Sequence, residues 1–193
     1  MAKKKLQFRP DRFESSFWSK LYITRLQRKT ILKWFLYSAL CVGTLVVQDV
    51  ILSRFHLFGG TVDLSPMLLL MICVLEGAEV GGVFTLTASV IYYYSGSAPG
   101  TYCILLLTFL GILAAMFRQN YLQRSFSAHW ICTVCAGFVY QVAVFGMGLF
   151  LTHTHPGRFP AFLMNALLGA AAIPLLYPAL TAIGKIGGTP WKE

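Results

Sequence analysis

The stretch from Asp63 to Gly100 constrains the fold of this chain more than any other. It joins two apolar segments through a turn that carries Glu76, Glu79 and three glycines. A single helix through this stretch would hold both carboxylates near the middle of a membrane, where one charge costs about 2.5–3.5 kcal/mol. The pattern therefore predicts a membrane hairpin of two short spans whose glutamates lie on a solvated turn.

The composition indicates an integral membrane protein. The 193 residues are 56% hydrophobic and 12% charged, which is far more apolar than a soluble domain of this size. The formal net charge is +9, and ten of the sixteen Lys and Arg residues precede residue 34. Because the basic residues are concentrated in one tail, the charge does not indicate a nucleic-acid partner.

The distribution of charge predicts an all-α bundle of six spans with both termini in the cytoplasm. This layout leaves only Arg54 and Arg158 outside, with the other fourteen basic residues inside, as the positive-inside rule requires. The predicted organisation is a basic tail over residues 1–31, a transmembrane domain over 32–186 and a short tail over 187–193. The predicted spans are residues 32–52, 64–76, 80–94, 101–117, 130–151 and 160–186.

The basic tail is amphipathic. Its aromatic and basic side chains recur at helical spacing on opposite faces, which is typical of a helix lying on an anionic leaflet, where each Lys or Arg contributes about 1 kcal/mol. A docking helix for a cytosolic partner is the alternative. The predicted membrane-surface residues are Phe13, Phe17, Trp18, Lys20, Arg25, Arg28 and Lys29.

The residues with reactive or metal-binding side chains do not form a recognisable catalytic or metal site. Five scattered cysteines predict helix packing, since the lone Cys132/Cys135 pair lacks a second pair of zinc ligands. His153 and His155 lack carboxylate or thiolate partners at a metal-binding spacing, which favours a solvated loop. We therefore expect no enzyme activity, no cofactor and no metal.

Polar residues mark the predicted outer ends of the first two spans. Gln48 and Asp49 lie one turn before the end of the first span, where they fit either ordinary interfacial polarity or a polar contact inside the bundle. Asp63 directly precedes the second span, and its side chain is expected to cap that helix.

A set of polar, glycine and proline residues stands at or near the ends of the predicted spans, namely Gln48, Asp63-Leu64, Gly77, Gly81, Gly82, Ser95-Gly96-Ser97 with Gly100, Pro160 and Asn165. The order of these residues resembles the rod-shape-determining MreD family of bacterial inner-membrane proteins over about residues 36–186. The family's aspartate three residues before the Ser-Gly pair is replaced here by Tyr92, and its proline before the Asp-Leu pair by Val62.

The resemblance implies a non-enzymatic component of the cell-elongation (rod) complex in the bacterial cytoplasmic membrane. Such a protein binds the bitopic scaffold MreC and links MreB filaments to peptidoglycan synthases. The implied fold is similar to the substrate-binding subunits of ECF vitamin transporters, so a small-molecule-binding transporter subunit is the alternative. A transporter subunit predicts a closed polar pocket among spans three to six, whereas a scaffold predicts an open groove. The predicted partner-binding residues are Gln48, Asp49, Asp63, Tyr92, Ser95, Gly96, Gly100 and Asn165.

Overall fold

The computed structural model describes residues 25–54, 56–57, 60–61, 63–122, 125–151 and 154–186. These ranges are helical apart from a small hairpin and short turns, so the all-α class is confirmed. The helices are α1 (Arg25–Val50), α2 (Ser65–Glu76), α3 (Ala78–Tyr94), α4 (Tyr102–Tyr121), α5 (Phe126–Phe150) and α6 (Phe159–Ile186). Between α1 and α2, strands β1 (His56–Leu57) and β2 (Gly60–Thr61) pair antiparallel, with His56 opposite Thr61.

Four of the described helices are long and apolar enough to cross a membrane, which identifies a membrane protein. They are α1, α4, α5 and α6. The other two are shorter: α2 has 12 residues and α3 has 17, which correspond to about 18 and 25 Å of helix against roughly 30 Å of hydrocarbon. The predicted hairpin of two short helices is therefore present.

The hairpin turns sharply at Gly77. This residue has φ 98° and ψ 169°, a backbone conformation that side-chain-bearing residues rarely adopt. Directly after the turn, α3 approaches α2 so closely that a Cβ on Gly81 would lie 2.8 Å from the carbonyl oxygen of Cys73. The glycines of this stretch thus serve both the turn and the close helix contact, as their spacing predicts.

The short helix α2 lies at the centre of the bundle. All of its residues except Leu75 are buried, and it packs against the other five helices. Met67 fills the space above two glycines: a Cβ on Gly137 of α5 would lie 2.2 Å from its Cε, and a Cβ on Gly169 of α6 would lie 2.7 Å from its Cγ. A helix that is apolar on every side is stable only when it is surrounded in this way.

The five cysteines are free thiols, as their scattered spacing predicts. Four of them are buried in the bundle and so serve the predicted packing role, whereas Cys135 on α5 is exposed.

Candidate functional site

Both ends of α2 lie inside the bundle, and side chains from other helices cap them. A helix leaves its first N–H and last C=O groups without internal partners, and burying such groups unpaired costs free energy. At the N-terminus, Gln48 Oε1 of α1 accepts hydrogen bonds from the Ser65 N–H at 3.0 Å and the Ser65 hydroxyl at 2.6 Å. At the C-terminus, Arg118 Nη1 of α4 donates to the Val74 carbonyl oxygen at 2.6 Å. Two long helices thus hold the short one in register.

The C-terminal end of α2 carries a buried ion pair, which we call the Lys33 cluster and define as Lys33, Tyr37 and Glu76. Lys33 Nζ lies 2.5 Å from Glu76 Oε2, and the Tyr37 hydroxyl donates to Glu76 Oε1 at 2.7 Å. The exposed fractions of the three residues are 5%, 0% and 7%. Both oxygens of the carboxylate are therefore occupied by groups of the chain itself, and the cluster is closed.

The expectation that Glu76 lies on a solvated turn is wrong, although Glu79 is exposed as expected. A buried carboxylate requires a counter-charge and hydrogen-bond donors, and α1 supplies both. The charge count groups Lys33 with the basic tail, but this residue falls inside the predicted first span. An ionisable residue within a span usually pairs with another polar or charged group. Tyr37 follows one turn later on the same helix face. The position of Lys33 inside the first predicted span and the spacing of Tyr37 from it are the sequence features that point to a buried partner for Lys33.

The N-terminal end of α2 is different, because it opens into a polar cleft of about 290 Å³. The last turn of α1, the residue that precedes Leu64 and the turn after α3 form its walls. We call it the Asp cleft and define it by its lining residues, which are Gln48, Asp49, Ser53, Asp63, Ser95, Gly96 and Ser97.

Hydroxyl groups engage both carboxylates of the Asp cleft. The Tyr92 hydroxyl donates to Asp63 Oδ2 at 2.6 Å, and the Ser97 hydroxyl donates to Asp49 Oδ1 at 2.6 Å. The Ser95 hydroxyl contacts the Tyr92 carbonyl oxygen at 2.7 Å and Ser97 Oγ at 3.1 Å. The turn after α3 is thereby connected to α1, and the end of α3 is connected to Asp63.

Asp63 is incompletely satisfied. Its Oδ1 is buried and makes no hydrogen bond to the described part of the chain. Burial raises the pKa of this carboxyl from 3.8 to about 6, because it disfavours the charged form more strongly than hydrogen bonding to Tyr92, Gln48 and the Ser65 backbone stabilises that form. The expectation that Asp63 caps α2 is wrong: Leu64 occupies the cap position without a side-chain cap, and Gln48 receives the Ser65 N–H instead.

The structure brings together six of the eight predicted partner-binding residues. Five line the Asp cleft, namely Gln48, Asp49, Asp63, Ser95 and Gly96, and Tyr92 lies beneath it with 1% of its surface exposed.

The other two predicted residues are not among those that line the cleft. Gly100 precedes α4 and packs against the Tyr102 ring, and Asn165 lies in α6. Sequence reasoning omitted Ser53 and Ser97 from the predicted site, although Ser97 stands in the same short turn as Ser95.

The predicted membrane-surface residues are only partly covered by the described ranges. Arg25 begins α1, and Arg28 and Lys29 are exposed on its first turns, so these basic positions continue directly into a long apolar helix. The remaining ones, Phe13, Phe17, Trp18 and Lys20, lie outside the described residues. Of the two loop histidines, His155 is exposed and His153 also lies outside the described residues.

No protein-family model matches the chain, and no curated protein and no solved structure matches it. Function must therefore be argued from the geometry of the bundle and its polar ends.

Proposed function

We propose that this chain is a non-enzymatic membrane scaffold of the MreD type, which binds an MreC-like bitopic partner in the cell-elongation complex of the bacterial cytoplasmic membrane. Through that partner it would be connected to MreB filaments and peptidoglycan synthases and would support cell shape. The observation that carries the proposal is the open Asp cleft. Most of the span-end residues that the family resemblance singles out on the predicted periplasmic side line it or lie directly beneath it.

The proposal includes a six-span topology with both termini in the cytoplasm. In this topology α2 and α3 cross the membrane as the short hairpin, and their polar ends are tolerated because Lys33, Gln48 and Arg118 satisfy them from neighbouring helices. The Lys33 cluster then lies towards the cytoplasm and the Asp cleft towards the periplasm. The exposed basic residues Arg28 and Lys29 support contact of the N-terminal region with anionic lipids.

The cavity that the described residues form between α5 and α6 favours a scaffold over a transporter subunit. A small-molecule site usually encloses about 300–1,000 Å³. In contrast, the cavity between α5 and α6, lined by residues that include Phe138, Gln141 and Phe162, measures about 10 Å³. Met67 and its neighbours fill the space around α2. The Asp cleft is large enough for part of a ligand, but it opens at the end of the bundle, as a docking site for a partner segment would.

The residues of the cleft also favour binding over catalysis. Its described lining residues include two carboxylates and three serines but no His, Cys or Lys, so no imidazole or amine lies beside a serine hydroxyl as a general base. The Tyr92 hydroxyl beneath the cleft donates a hydrogen bond to Asp63.

The proposal is tested by site-specific photo-crosslinking in native bacterial membranes. A photoreactive residue at Ser97 is expected to capture a single-span protein with a large periplasmic domain. The matched control is Leu105 near the start of α4, which is 72% exposed and does not line the cleft, and which should capture no such protein. Recovery of an ATPase module together with the chain, without a bitopic partner, would overturn the proposal.

A further inference from the structure

We infer that the Asp cleft binds a cationic side chain, the ammonium of a lysine or the guanidinium of an arginine, presented by the segment of the partner next to its membrane span. The inference rests on the proposed function and names the chemistry of the partner at that site.

The first argument is an unpaired buried acceptor. Asp63 Oδ1 is buried without a hydrogen bond to the described chain, and an unsatisfied buried acceptor costs free energy. The other oxygen of this carboxylate accepts from Tyr92, and the Gln48 side chain and the Ser65 N–H add weaker stabilisation, whereas an ionised carboxylate can accept several well-aligned hydrogen bonds. The raised pKa of Asp63 agrees with a charge that the unbound protein does not compensate. A cation held in the cleft would compensate this charge.

The second argument is the comparison of the two acidic ends of α2. At Glu76 the chain supplies its own ammonium group from Lys33. At Asp63 and Asp49 the cleft contains no lysine, arginine or histidine among its lining residues. Among the described residues, the counter-charge that one end holds internally is therefore missing at the other, where open space lies beside the carboxylates.

The third argument is the count of donors. The serine hydroxyls that line the cleft are already directed to acceptors of the chain: Ser53 donates to the Asp49 carbonyl oxygen, Ser95 to the Tyr92 carbonyl oxygen and Ser97 to the Asp49 carboxylate. Because these hydroxyl protons are already used, the remaining capacity of the serines and of the two carboxylates is for accepting hydrogen bonds. Lysine and arginine side chains are donors only, with three and five N–H groups respectively, and so match this capacity.

A bare divalent cation fits the cleft less well. Calcium takes about six to eight oxygen ligands, whereas Asp49 and Asp63 each have one oxygen engaged by a hydroxyl donor. An ammonium or guanidinium group instead needs only a few acceptors and a complementary charge. A side-chain head group also suits a cleft of about 290 Å³.

The test uses the full chain and the partner that the Ser97 crosslink identifies. Asp49→Asn and Asp63→Asn preserve side-chain size, and each variant is first checked for a monodisperse, folded protein. We expect each to lower partner recovery about fivefold and the double variant tenfold or more, since a partly exposed ion pair contributes about 1 kcal/mol. Glu79→Gln, which removes an exposed carboxylate at the other end of the hairpin, is the matched control and should change nothing. Partner recovery at the wild-type level from the double variant would overturn the inference while the proposed function stands.

Charge reversal gives the second readout. Asp49→Lys should abolish recovery, and exchange of the crosslinked basic residue of the partner for glutamate should restore it. If the crosslinked segment carries no lysine or arginine, the inference is wrong.

A third arm separates this inference from failure of the proposed function. Synthetic single-span peptides that end in lysine or glutamine are titrated against the chain in phosphatidylcholine nanodiscs, with and without the Asp49→Asn/Asp63→Asn substitutions. Preferential binding of the lysine peptide, lost in the double variant, supports the inference even if no native partner is recovered. Equal binding of the two peptides overturns it. If, in addition, native mass spectrometry shows retention of phosphatidylethanolamine only by the unsubstituted chain, the ligand is a lipid amine instead.

Discussion

The carboxylates at the two ends of α2 differ in how completely the chain satisfies them. Each end bears a carboxylate with a tyrosine hydroxyl on one oxygen, Tyr37 on Glu76 and Tyr92 on Asp63, at 2.7 and 2.6 Å. At Glu76 the other oxygen meets Lys33 at 2.5 Å. At Asp63 the other oxygen has no partner in the described chain, and a cleft lies beside it.

This difference separates stability from recognition. A buried carboxylate that is charge-paired and fully hydrogen-bonded holds helices together, but it has nothing left to offer a ligand. A carboxylate that is only half satisfied costs stability in the unbound protein and gains free energy when a partner completes it. The Lys33 cluster therefore holds α1 to the hairpin, and we propose the Asp cleft as the end that is available for binding.

The largest effect is expected from breaking the closed end. Glu76→Leu or Lys33→Met leaves a buried charge without its partner and should lower the free energy of unfolding by about 3–5 kcal/mol. The double variant removes both charges and should recover most of that loss. Titration with SDS in mixed micelles measures these values, and Glu79→Gln should lie within about 0.5 kcal/mol of the unsubstituted chain. A double variant as unstable as its two parents would contradict the assignment of a matched ion pair.

Structural features of the bundle could be predicted from the sequence where the residues that form them are close together along the chain. The break at Gly77 and the short hairpin were predictable, because glycines and charges mark them locally. Lys33 and Glu76 are 43 positions apart in the sequence. Charge and hydropathy place Lys33 with the basic tail and Glu76 on a solvated turn, so they do not predict that the two residues pair. In the described residues α1 runs without a break from the predicted tail helix into the predicted first span, and the boundary drawn between them at residue 31 reflects hydropathy, which marks the hydrocarbon core and not the end of a helix.

The candidate site was predicted better than its chemistry. The polar positions at the span ends converge in one cleft, as hairpin topology requires once α2 and α3 are antiparallel. The cap of α2 was assigned to Asp63 by local propensity, but Gln48 of another helix provides it. Propensity describes the nearest residues along the chain, and inside a bundle the competing donor or acceptor often comes from a neighbouring helix.

The second effect concerns pH at the open end. Because the pKa of Asp63 is raised from 3.8 to about 6 in the folded chain, the protonated folded form is favoured. Its contribution to stability is complete below pH 3.8 and is lost as the pH rises through 6. The free energy of unfolding should fall by up to about 3 kcal/mol over this interval.

Asp63→Asn should remove that decline, as measured by unfolding at a series of pH values. Repeating the pH series in an Asp49→Asn background excludes a contribution of Asp49, the neighbouring acidic group, to the decline. The other ionisable groups beside Asp63 are Tyr92, Tyr140 and Cys103, whose side-chain types ordinarily titrate above pH 8. An unchanged slope in Asp63→Asn would assign the decline to another group.

Removing the hydroxyl of Tyr37 or of Tyr92 is expected to have an effect of intermediate size on the free energy of unfolding. Tyr37→Phe and Tyr92→Phe each remove one hydroxyl from one buried carboxylate, and at pH 7 each should cost about 1.5–3 kcal/mol, the usual contribution of a hydrogen bond to a charged group. At pH 5 the cost of Tyr92→Phe should shrink, because Asp63 is then largely protonated. The cost of Tyr37→Phe should persist, since the ammonium group of Lys33 remains paired with Glu76. Parallel pH responses of the two variants would contradict the contrast between the ends.

The smallest effect on stability is expected from a substitution at the rim of the Asp cleft. A substitution there can change partner binding without a large change in stability. Ser97→Ala removes the hydroxyl that holds Asp49 Oδ1, and because Asp49 is exposed, water replaces the lost bond and the free energy of unfolding should change by less than about 1 kcal/mol. Partner recovery should fall by about twofold, since Asp49 is then less well oriented for a cation. Measuring unfolding and recovery on the same preparation separates the two quantities. A loss of stability as large as that of Tyr37→Phe would mean that the open end is as much a structural joint as the closed one.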